Sequence, residues 1–214
     1  MTDPRPDALI SDFGGVLTSP LLEAFSRLQE SHGIPLEALG RAMATVAAEH
    51  GAHPLAELET GRLTEREFLA RLEEAMAADV GRRISLENFA DAWWSHLELN
   101  EELLAYYRTL RDRGIALAIC TNNVREWEPR WRGMFPVDEL FDVVVDSGFV
   151  GVRKPDPPIY RLTLERLGRS AERAVFVDDI EDNVAVARTL GMHGVHFRGT
   201  DAAIADIERA LFGS

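Results

Sequence analysis

The sequence of 214 residues contains a single cysteine, Cys120, so the chain cannot form an internal disulfide. One cysteine suits a reducing compartment, and we expect a cytoplasmic protein in which Cys120 is a small core residue. No apolar run approaches the length needed to cross a bilayer, and residues 1–10 lack the basic and apolar regions of a signal peptide. We therefore expect no membrane partner.

Basic residues are also scarce. The chain has 23 Lys and Arg against 36 Asp and Glu, which gives a formal net charge of -13 at pH 7. A surface of this sign repels phosphate backbones, so nucleic acid is excluded as an expected partner. The 46% of hydrophobic residues suffices for a sizeable core in one domain with an insertion or in two small domains. The sequence is compatible with both a monomer and a homodimer as the oligomeric state.

Five short apolar runs predict the strands. Most of them lack alternation between apolar and polar residues, as is typical of strands buried on both faces of a parallel sheet. Amphipathic helical patterns at Glu101–Arg113, Asp156–Leu167 and Asn183–Leu190 lie between them. The alternation predicts a doubly wound, Rossmann-like α/β core with a mostly parallel sheet. The runs are Ala8–Phe13, Ile115–Cys120, Asp142–Asp146, Ala174–Asp178 and Gly194–Phe197.

The segment between the first two predicted strands contains no strand candidate. It shows helical patterns, and Thr64 followed by Glu67 is typical of a capping box at a helix start. We predict an all-helical cap at 19–99, inserted into a core formed by 1–18 and 100–214. The predicted cap helices are Leu21–Gly33, Pro35–His50, Thr64–Ala78 and Ser85–Leu97.

Polar side chains follow the predicted strands where ligands bind in parallel α/β sheets, beyond the carboxyl ends of the strands. Asp12 ends the first strand, Thr121 the second, and the consecutive pair Asp178 and Asp179 the fourth, while Lys154 precedes a helix. Neighbouring carboxylates repel one another unless a hard cation such as Mg²⁺ binds them. A lysine balances a carboxylate or a phosphate, and a carboxylate can itself be a nucleophile.

Four motifs in order identify a family resemblance. They are SDFGGVLT from Ser11, ICTNN from Ile119, RKPDPPIY from Arg153 and VFVDDIEDNVAVARTLGM from Val175. Together they resemble the motifs of haloacid dehalogenase-like hydrolases, in the branch whose cap follows the first strand. The resemblance implies a Mg²⁺-dependent phosphohydrolase that acts on a small phosphorylated metabolite, such as a sugar phosphate.

The resemblance also implies a role for each matched residue. Asp12 would be the nucleophile, and Thr121 and Lys154 would be catalytic residues that also contact the phosphate. The other implied phosphate-binding residues are Gly14, Gly15 and Asn122. The implied metal ligands are Asp12, the backbone carbonyl of Gly14, Asp178 and Asp179.

Gly14 departs from the pattern of most phosphatases in this superfamily, which have a second aspartate there. That aspartate is the general acid and base, a function worth typically 10²–10⁴-fold in rate. Glycine keeps the backbone carbonyl but loses this group. The chain therefore resembles a subgroup with a D-x-G first motif, and we expect a slower enzyme unless another group supplies the proton.

Two alternative functions stay open. Gly14 is also compatible with a 2-haloacid dehalogenase, which uses an aspartate nucleophile without a second aspartate, although the acidic pair Asp178 and Asp179 favours Mg²⁺. A binding protein for a phosphorylated metabolite with little or no turnover is the second alternative. The segment containing Trp127 and Trp131 either borders the substrate or serves packing and a dimer contact.

Overall fold

The computed structural model describes residues 5–32 and 35–213. Its centre is one five-stranded sheet in the order β3-β2-β1-β4-β5, with every neighbouring pair parallel. Leu9 in the middle strand lies opposite Leu117 on one side and Val175 on the other. The predicted α/β sheet is thus confirmed. The strands are β1 Ala8–Ser11, β2 Ala116–Thr121, β3 Val143–Asp146, β4 Ala174–Asp178 and β5 His193–His196.

Seven of the described helices precede, separate or follow the strands β2 to β5. Four of them cover the sheet: α6 and α12 lie on one face, and α10 and α11 on the other. Both faces of the central strands are therefore buried, which explains why these strands are continuously apolar. The seven are α6 Glu101–Asp112, α7 Glu128–Arg132, α8 Val137–Leu140, α9 Ser147–Val150, α10 Pro157–Leu167, α11 Glu181–Thr189 and α12 Thr200–Phe212.

Five described helices lie between β1 and α6. They enclose an apolar core of their own, in which Leu39, Leu58, Phe68 and Trp93 are buried. The predicted division into a core and a cap at 19–99 is compatible with this arrangement, and we call residues 19–99 the cap below. The helices are α1 Leu21–His32, α2 Leu36–His50, α3 Pro54–Glu59, α4 Glu65–Val80 and α5 Phe89–Ser95.

The two chain crossings between the cap and the sheet lie side by side. Thr18 and Leu99 form an antiparallel bridge, and the Ser19 N–H donates to the carbonyl of Glu98 at 2.7 Å. The Asn100 side chain donates to the carbonyl of Val16 at 3.1 Å. These hydrogen bonds hold together, beside the end of β1, the two segments that join the cap to the core.

Some local predictions need correction. The capping box of Thr64 and Glu67 is present at the start of α4, but the helix predicted from Ser85 begins only at Phe89. Asn88 precedes it with a left-handed φ of 60°, and a right-handed helix cannot extend through a residue in this conformation. Helices α3 and α12 were not predicted, and the predicted helix end at Gly33 lies outside the described residues. Among the residues described, no helix is long and apolar enough to cross a membrane.

Candidate active site

Lys154 joins two carboxylates at the carboxyl edge of the sheet. Its Nζ lies 2.7 Å from Oδ1 of Asp12 and 2.7 Å from Oδ2 of Asp178. The side chains of Lys154 and Asp178 are 1% and 0% exposed, so both charges are removed from water. Buried charges of this kind persist only when they are paired. Adjacent strands β1 and β4 deliver the two carboxylates, and the loop before α10 delivers the lysine.

Asp178 is held at both of its oxygens. Oδ2 accepts from Lys154, while Oδ1 accepts from the Asn183 amide at 3.0 Å and from the Ile180 N–H at 2.9 Å. Asn183 is itself buried on α11. Asp178 thus orients Lys154 and the start of α11, and a cation would have to compete with these bonds to bind Asp178 directly.

Gly15 makes room for Asp179. Its φ is +75°, and a Cβ at this position would collide with the Asp179 carboxylate. Any other residue would therefore combine backbone strain with a clash. The Gly15 N–H donates to Oγ1 of Thr18 at 3.0 Å. In this structure Gly15 positions an acidic side chain through its small size.

Asn122 holds the backbone of Lys154. Its Nδ2 donates to the Lys154 carbonyl at 2.9 Å, and its Oδ1 accepts from the Lys154 N–H at 2.8 Å. The predicted phosphate-binding side chain is therefore engaged in positioning the lysine. Thr121 ends β2 beside this pair, is buried, and lies opposite Asp146 in β3.

Burial sets the electrostatics of the site. Desolvation raises the pKa of Asp12 to about 7, Lys154 opposes the shift, and Asp178 adds to it. Desolvation also raises the pKa of Asp179 above its ordinary value, again with a contribution from Asp178. The pKa of Lys154 lies above its ordinary range because Asp12 and Asp178 together outweigh its burial. Lys154 is therefore a permanent cation, and the carboxylates around it hold excess negative charge.

Three carboxylates at the edge of the sheet are close enough to share one cation. Asp12, Asp178 and Asp179 each offer an oxygen, and these oxygens lie within 4.8 Å of one another. Carboxylate oxygens are the preferred ligands of Mg²⁺. The donor set therefore fits a hard divalent cation, which would also relieve the repulsion that adds to the effect of burial on the pKa values of Asp12 and Asp179.

Leu21 lies in front of Gly14. A Cβ at position 14 would be 3.3 Å from Cδ1 of Leu21. A side chain at position 14 would thus contact an apolar side chain of α1 tightly. Gly14, which lacks an acidic side chain, therefore has an apolar neighbour from the cap. Sequence patterns do not show this contact between the sheet edge and the cap.

A cavity of about 160 Å³ opens between the edge of the sheet and the cap. Gly14 and Thr121, which flank Asp12 on the sheet edge, form part of its wall. The remainder is almost entirely apolar and comes mainly from the cap helices. Trp127 also lines it and packs edge-on against Trp94 with ring centroids 5.9 Å apart. Trp131 instead is fully buried against Phe13, so the two tryptophans of this segment have different surroundings.

Polar contacts join the cap to the core around this cavity. Arg153 Nε lies 2.7 Å from Oε2 of Glu59, and Trp127 Nε1 donates to Oε1 of Glu65 at 2.8 Å. Burial raises the pKa of Glu59, and Arg153 opposes the shift. Sequence analysis missed these pairs because each joins positions far apart in the chain, and no motif includes Glu59 or Glu65.

The parallel sheet, its flanking helices and the acidic edge define a Rossmann-like α/β protein with a site at the carboxyl ends of its strands. A model of the haloacid dehalogenase-like hydrolases matches residues 6–191. The chain belongs to this family, and the resemblance inferred from the four motifs is confirmed.

Similar proteins include hydrolases of more than one activity. A bifunctional epoxide hydrolase 2 of Sus scrofa is 30% identical over 94% of this chain, and the match spans 38% of that protein. A phosphorylated carbohydrates phosphatase of Thermotoga maritima is 32% identical over 89% of this chain and 84% of that protein. The structure of a predicted HAD-like family hydrolase from Porphyromonas gingivalis aligns with a TM-score of 0.72 and 26% identity, covering 98% of this chain and 99% of that one.

Proposed function

We propose that this protein is a Mg²⁺-dependent phosphohydrolase that acts on a small phosphomonoester through an aspartyl-phosphate on Asp12. The observation that carries the proposal is the bridge at Lys154, whose Nζ lies 2.7 Å from both Asp12 and Asp178, beside the three clustered carboxylates. The phosphatase among the similar proteins supports the same reading.

Asp12 is held in one orientation. Its Oδ1 accepts from the Phe13 N–H at 2.7 Å as well as from Lys154. Within the described residues, Oδ2 accepts no hydrogen bond, so this oxygen is the one that attacks. Fixing one oxygen while leaving the other open orients the nucleophile, and orientation is a large part of the barrier reduction in phosphoryl transfer.

Asp12, Asp179 and the backbone carbonyl of Gly14 would hold Mg²⁺, and Asp178 would support it through Lys154 and ordered water. The cation would neutralise charge on the transferring phosphoryl group. The residues fit this role because the carboxylate oxygens already lie within 4.8 Å of one another. Thr121 and the Lys154 ammonium would contact the phosphoryl oxygens, with Asn122 holding the lysine in place.

The reaction has two displacements at phosphorus. Oδ2 of Asp12 forms a bond to phosphorus while the bond to the ester oxygen breaks, and the leaving alkoxide takes a proton from water. A water molecule then attacks phosphorus and loses a proton to the hydroxide left by the first step, while the bond from phosphorus to Oδ2 breaks, which releases inorganic phosphate and regenerates the Asp12 carboxylate. In the absence of an acidic side chain at Gly14, we expect esters of acidic alcohols to react fastest, since their leaving groups need the least protonation.

Phosphate release from p-nitrophenyl phosphate and a set of small phosphomonoesters, with Mg²⁺ and with EDTA, tests the proposal. We expect release that depends on Mg²⁺ and falls by at least about a thousandfold in the Asp12→Asn variant. The exposed Asp201 on α12 offers the matched control, and Asp201→Asn should retain native activity. Trapping of acid-labile phosphate on the native chain would identify the intermediate.

Two results would replace the proposal with another function. Release of halide from 2-chloropropionate without a metal requirement would favour the dehalogenase, which also lacks an aspartate at position 14. Binding of phosphate esters with equal and negligible turnover in the native chain and Asp12→Asn would favour a binding protein.

A further inference from the structure

The cavity beside Asp12 extends from the sheet edge into the interior of the cap. Gly14 and Thr121 form part of its wall at the sheet edge, and side chains from all five cap helices form most of the rest. Leu21 and Phe25 come from α1, and Met43 comes from α2. An ester whose phosphate lies at Asp12 and Lys154 would therefore direct its alcohol group into this space.

Most of the few polar groups in the wall are already engaged. The Asn122 amide is bonded through both of its atoms to the backbone of Lys154. Asn123 Oδ1 accepts from the Val124 N–H at 2.9 Å, and Glu59 is paired with Arg153 at 2.7 Å. Among the described lining residues, Thr121 lies at the phosphate end, and the buried Nε1 of Trp94 has no hydrogen-bond partner. One hydroxyl group could accept from Trp94 Nε1, but an alcohol with several hydroxyl groups would give up most of its hydrogen bonds to water without replacement, which is unfavourable.

The size of the cavity limits the occupant. Its volume of about 160 Å³ is close to that of an engineered apolar cavity of roughly 150 Å³ that stays dry and binds benzene. A phenyl ring or a branched alkyl group of about five or six carbons matches this volume. A hexose ring would place several hydroxyl groups against leucine, phenylalanine and tryptophan side chains.

We propose that this cavity is the subsite for the alcohol portion of the substrate, and that the preferred substrate is a phosphomonoester of a compact apolar alcohol, aryl or alkyl. The inference rests on the proposed function for the position of the phosphate. It replaces the sugar phosphate expected from sequence resemblance with a substrate that carries no hydroxyl groups beyond the ester. Leu21 lies beside Gly14 and makes the subsite apolar as far as the reacting centre.

The test uses two series on the Mg²⁺-loaded protein. In the first, kcat/KM is measured for methyl, propyl, hexyl and benzyl phosphate and for glucose 6-phosphate. Each methylene that enters the cavity should raise kcat/KM by about fourfold, as expected for burial of one CH₂ group, and glucose 6-phosphate should fall at least tenfold below benzyl phosphate. In the second, binding of methyl-, hexyl- and benzylphosphonate, which are not hydrolysed, is measured by calorimetry.

A variant that fills the cavity tests whether the dependence of kcat/KM on the alcohol group arises in the cavity. Met43→Trp should lower kcat/KM for hexyl and benzyl phosphate at least tenfold and change methyl phosphate by less than twofold. Leu69 on α4 is partly buried in the same helical core but does not line the cavity, so Leu69→Trp is the matched control. Circular dichroism establishes that both variants fold, and the native series decides the question if either does not.

The outcomes separate this inference from the proposed function. Turnover of every ester without dependence on chain length, or a preference for glucose 6-phosphate, would overturn the apolar subsite and leave the phosphohydrolase intact. Tighter binding of hexylphosphonate than methylphosphonate with no turnover of any ester would support the subsite and refute hydrolysis. Equal binding of all three phosphonates would overturn the subsite independently of catalysis.

Discussion

Leu21 of the first cap helix occupies the space in front of Gly14, with its Cδ1 3.3 Å from the position of a Cβ on that glycine. The two positions are coupled: a carboxylate introduced at 14 meets an apolar side chain. Where a second aspartate is absent, the cap therefore places Leu21 next to the position of its side chain.

Restoring the aspartate should require removal of this leucine. We expect Gly14→Asp alone to change kcat on an alkyl phosphate by less than tenfold, because Leu21 forces the carboxylate away from the leaving group. The double variant Gly14→Asp/Leu21→Ala should exceed the single variant at least tenfold, since general acid catalysis is worth about 10²–10⁴-fold. Steady-state kinetics on propyl phosphate measures both.

Two comparisons separate the effect of the introduced aspartate from that of the shortened side chain at position 21. Leu21→Ala by itself reports the effect of the shortened side chain, and p-nitrophenyl phosphate should respond less because its leaving group needs no proton. A tenfold gain from Gly14→Asp alone would show that Leu21 does not obstruct the position.

Removal of Lys154 should destabilise the fold. Lys154→Met leaves Asp12 and Asp178 buried and unpaired, and breaking a buried ion pair in this way costs about 3–5 kcal/mol. Urea denaturation at pH 7.5 should show a loss of about 3 kcal/mol in the free energy of unfolding, together with loss of activity.

A double-mutant cycle shows whether the loss comes from the ion pair. The Lys154→Met/Asp12→Asn variant should be more stable than the sum of the single changes predicts, by at least about 1 kcal/mol, because the two side chains are in contact. Additive effects would indicate that Lys154 stabilises the fold through packing alone.

Mg²⁺ should bind through Asp179. We expect millimolar Mg²⁺ to raise the melting temperature of the native chain, since a ligand that binds only the folded state stabilises it. Asp179→Asn should abolish the increase. Asp182→Asn, an exposed change in the first turn of α11, should retain it.

The sequence provides a direct probe of this site, because Lys154 is its only lysine. In a chain labelled with ¹⁵N-lysine, a single side-chain signal should shift when Mg²⁺ is added and remain unchanged in Asp179→Asn. A shift of equal size in that variant would place the cation elsewhere.

Asp146 should make stability depend on pH. Burial raises its pKa from 3.8 to about 6, so the folded chain binds this proton more tightly than the unfolded chain. Native stability should therefore fall as the pH rises from about 4 to about 6. Asp146→Asn does not ionise, and its advantage in unfolding free energy should grow across this window by up to about 3 kcal/mol.

Urea denaturation at intervals between pH 4 and pH 7.5 measures the difference. Asp112→Asn, at an exposed position near the end of α6, controls for the loss of one negative charge. A difference between native chain and Asp146→Asn that stays constant with pH would show that Asp146 ionises normally in the fold.

The local sequence predicts much of the sheet, because strands buried on both faces must be apolar along their whole length. Runs such as Ala174–Asp178 were placed to the residue. The boundary at α5 was missed because Asn88 breaks the helical conformation without a glycine or proline to signal it. Short helices such as α3 depend on packing against the rest of the cap, which no local pattern records.

The candidate site was likewise predictable from the sequence only in part. Parallel strands end at one edge, so Asp12, Asp178 and Asp179 could be expected to meet from their places in the chain alone. Only the tertiary structure shows that Asn122 positions Lys154, since that bond joins residues of two separate loops.

The sequence by itself determined the parallel sheet and the residue types gathered at its edge, because both follow from periodicity and from the end at which strands deliver their side chains. The tertiary structure decided what surrounds them. Leu21 lies against Gly14 and Arg153 against Glu59 because helices far away in the chain pack onto the sheet, and packing depends on side chains from both partners at once.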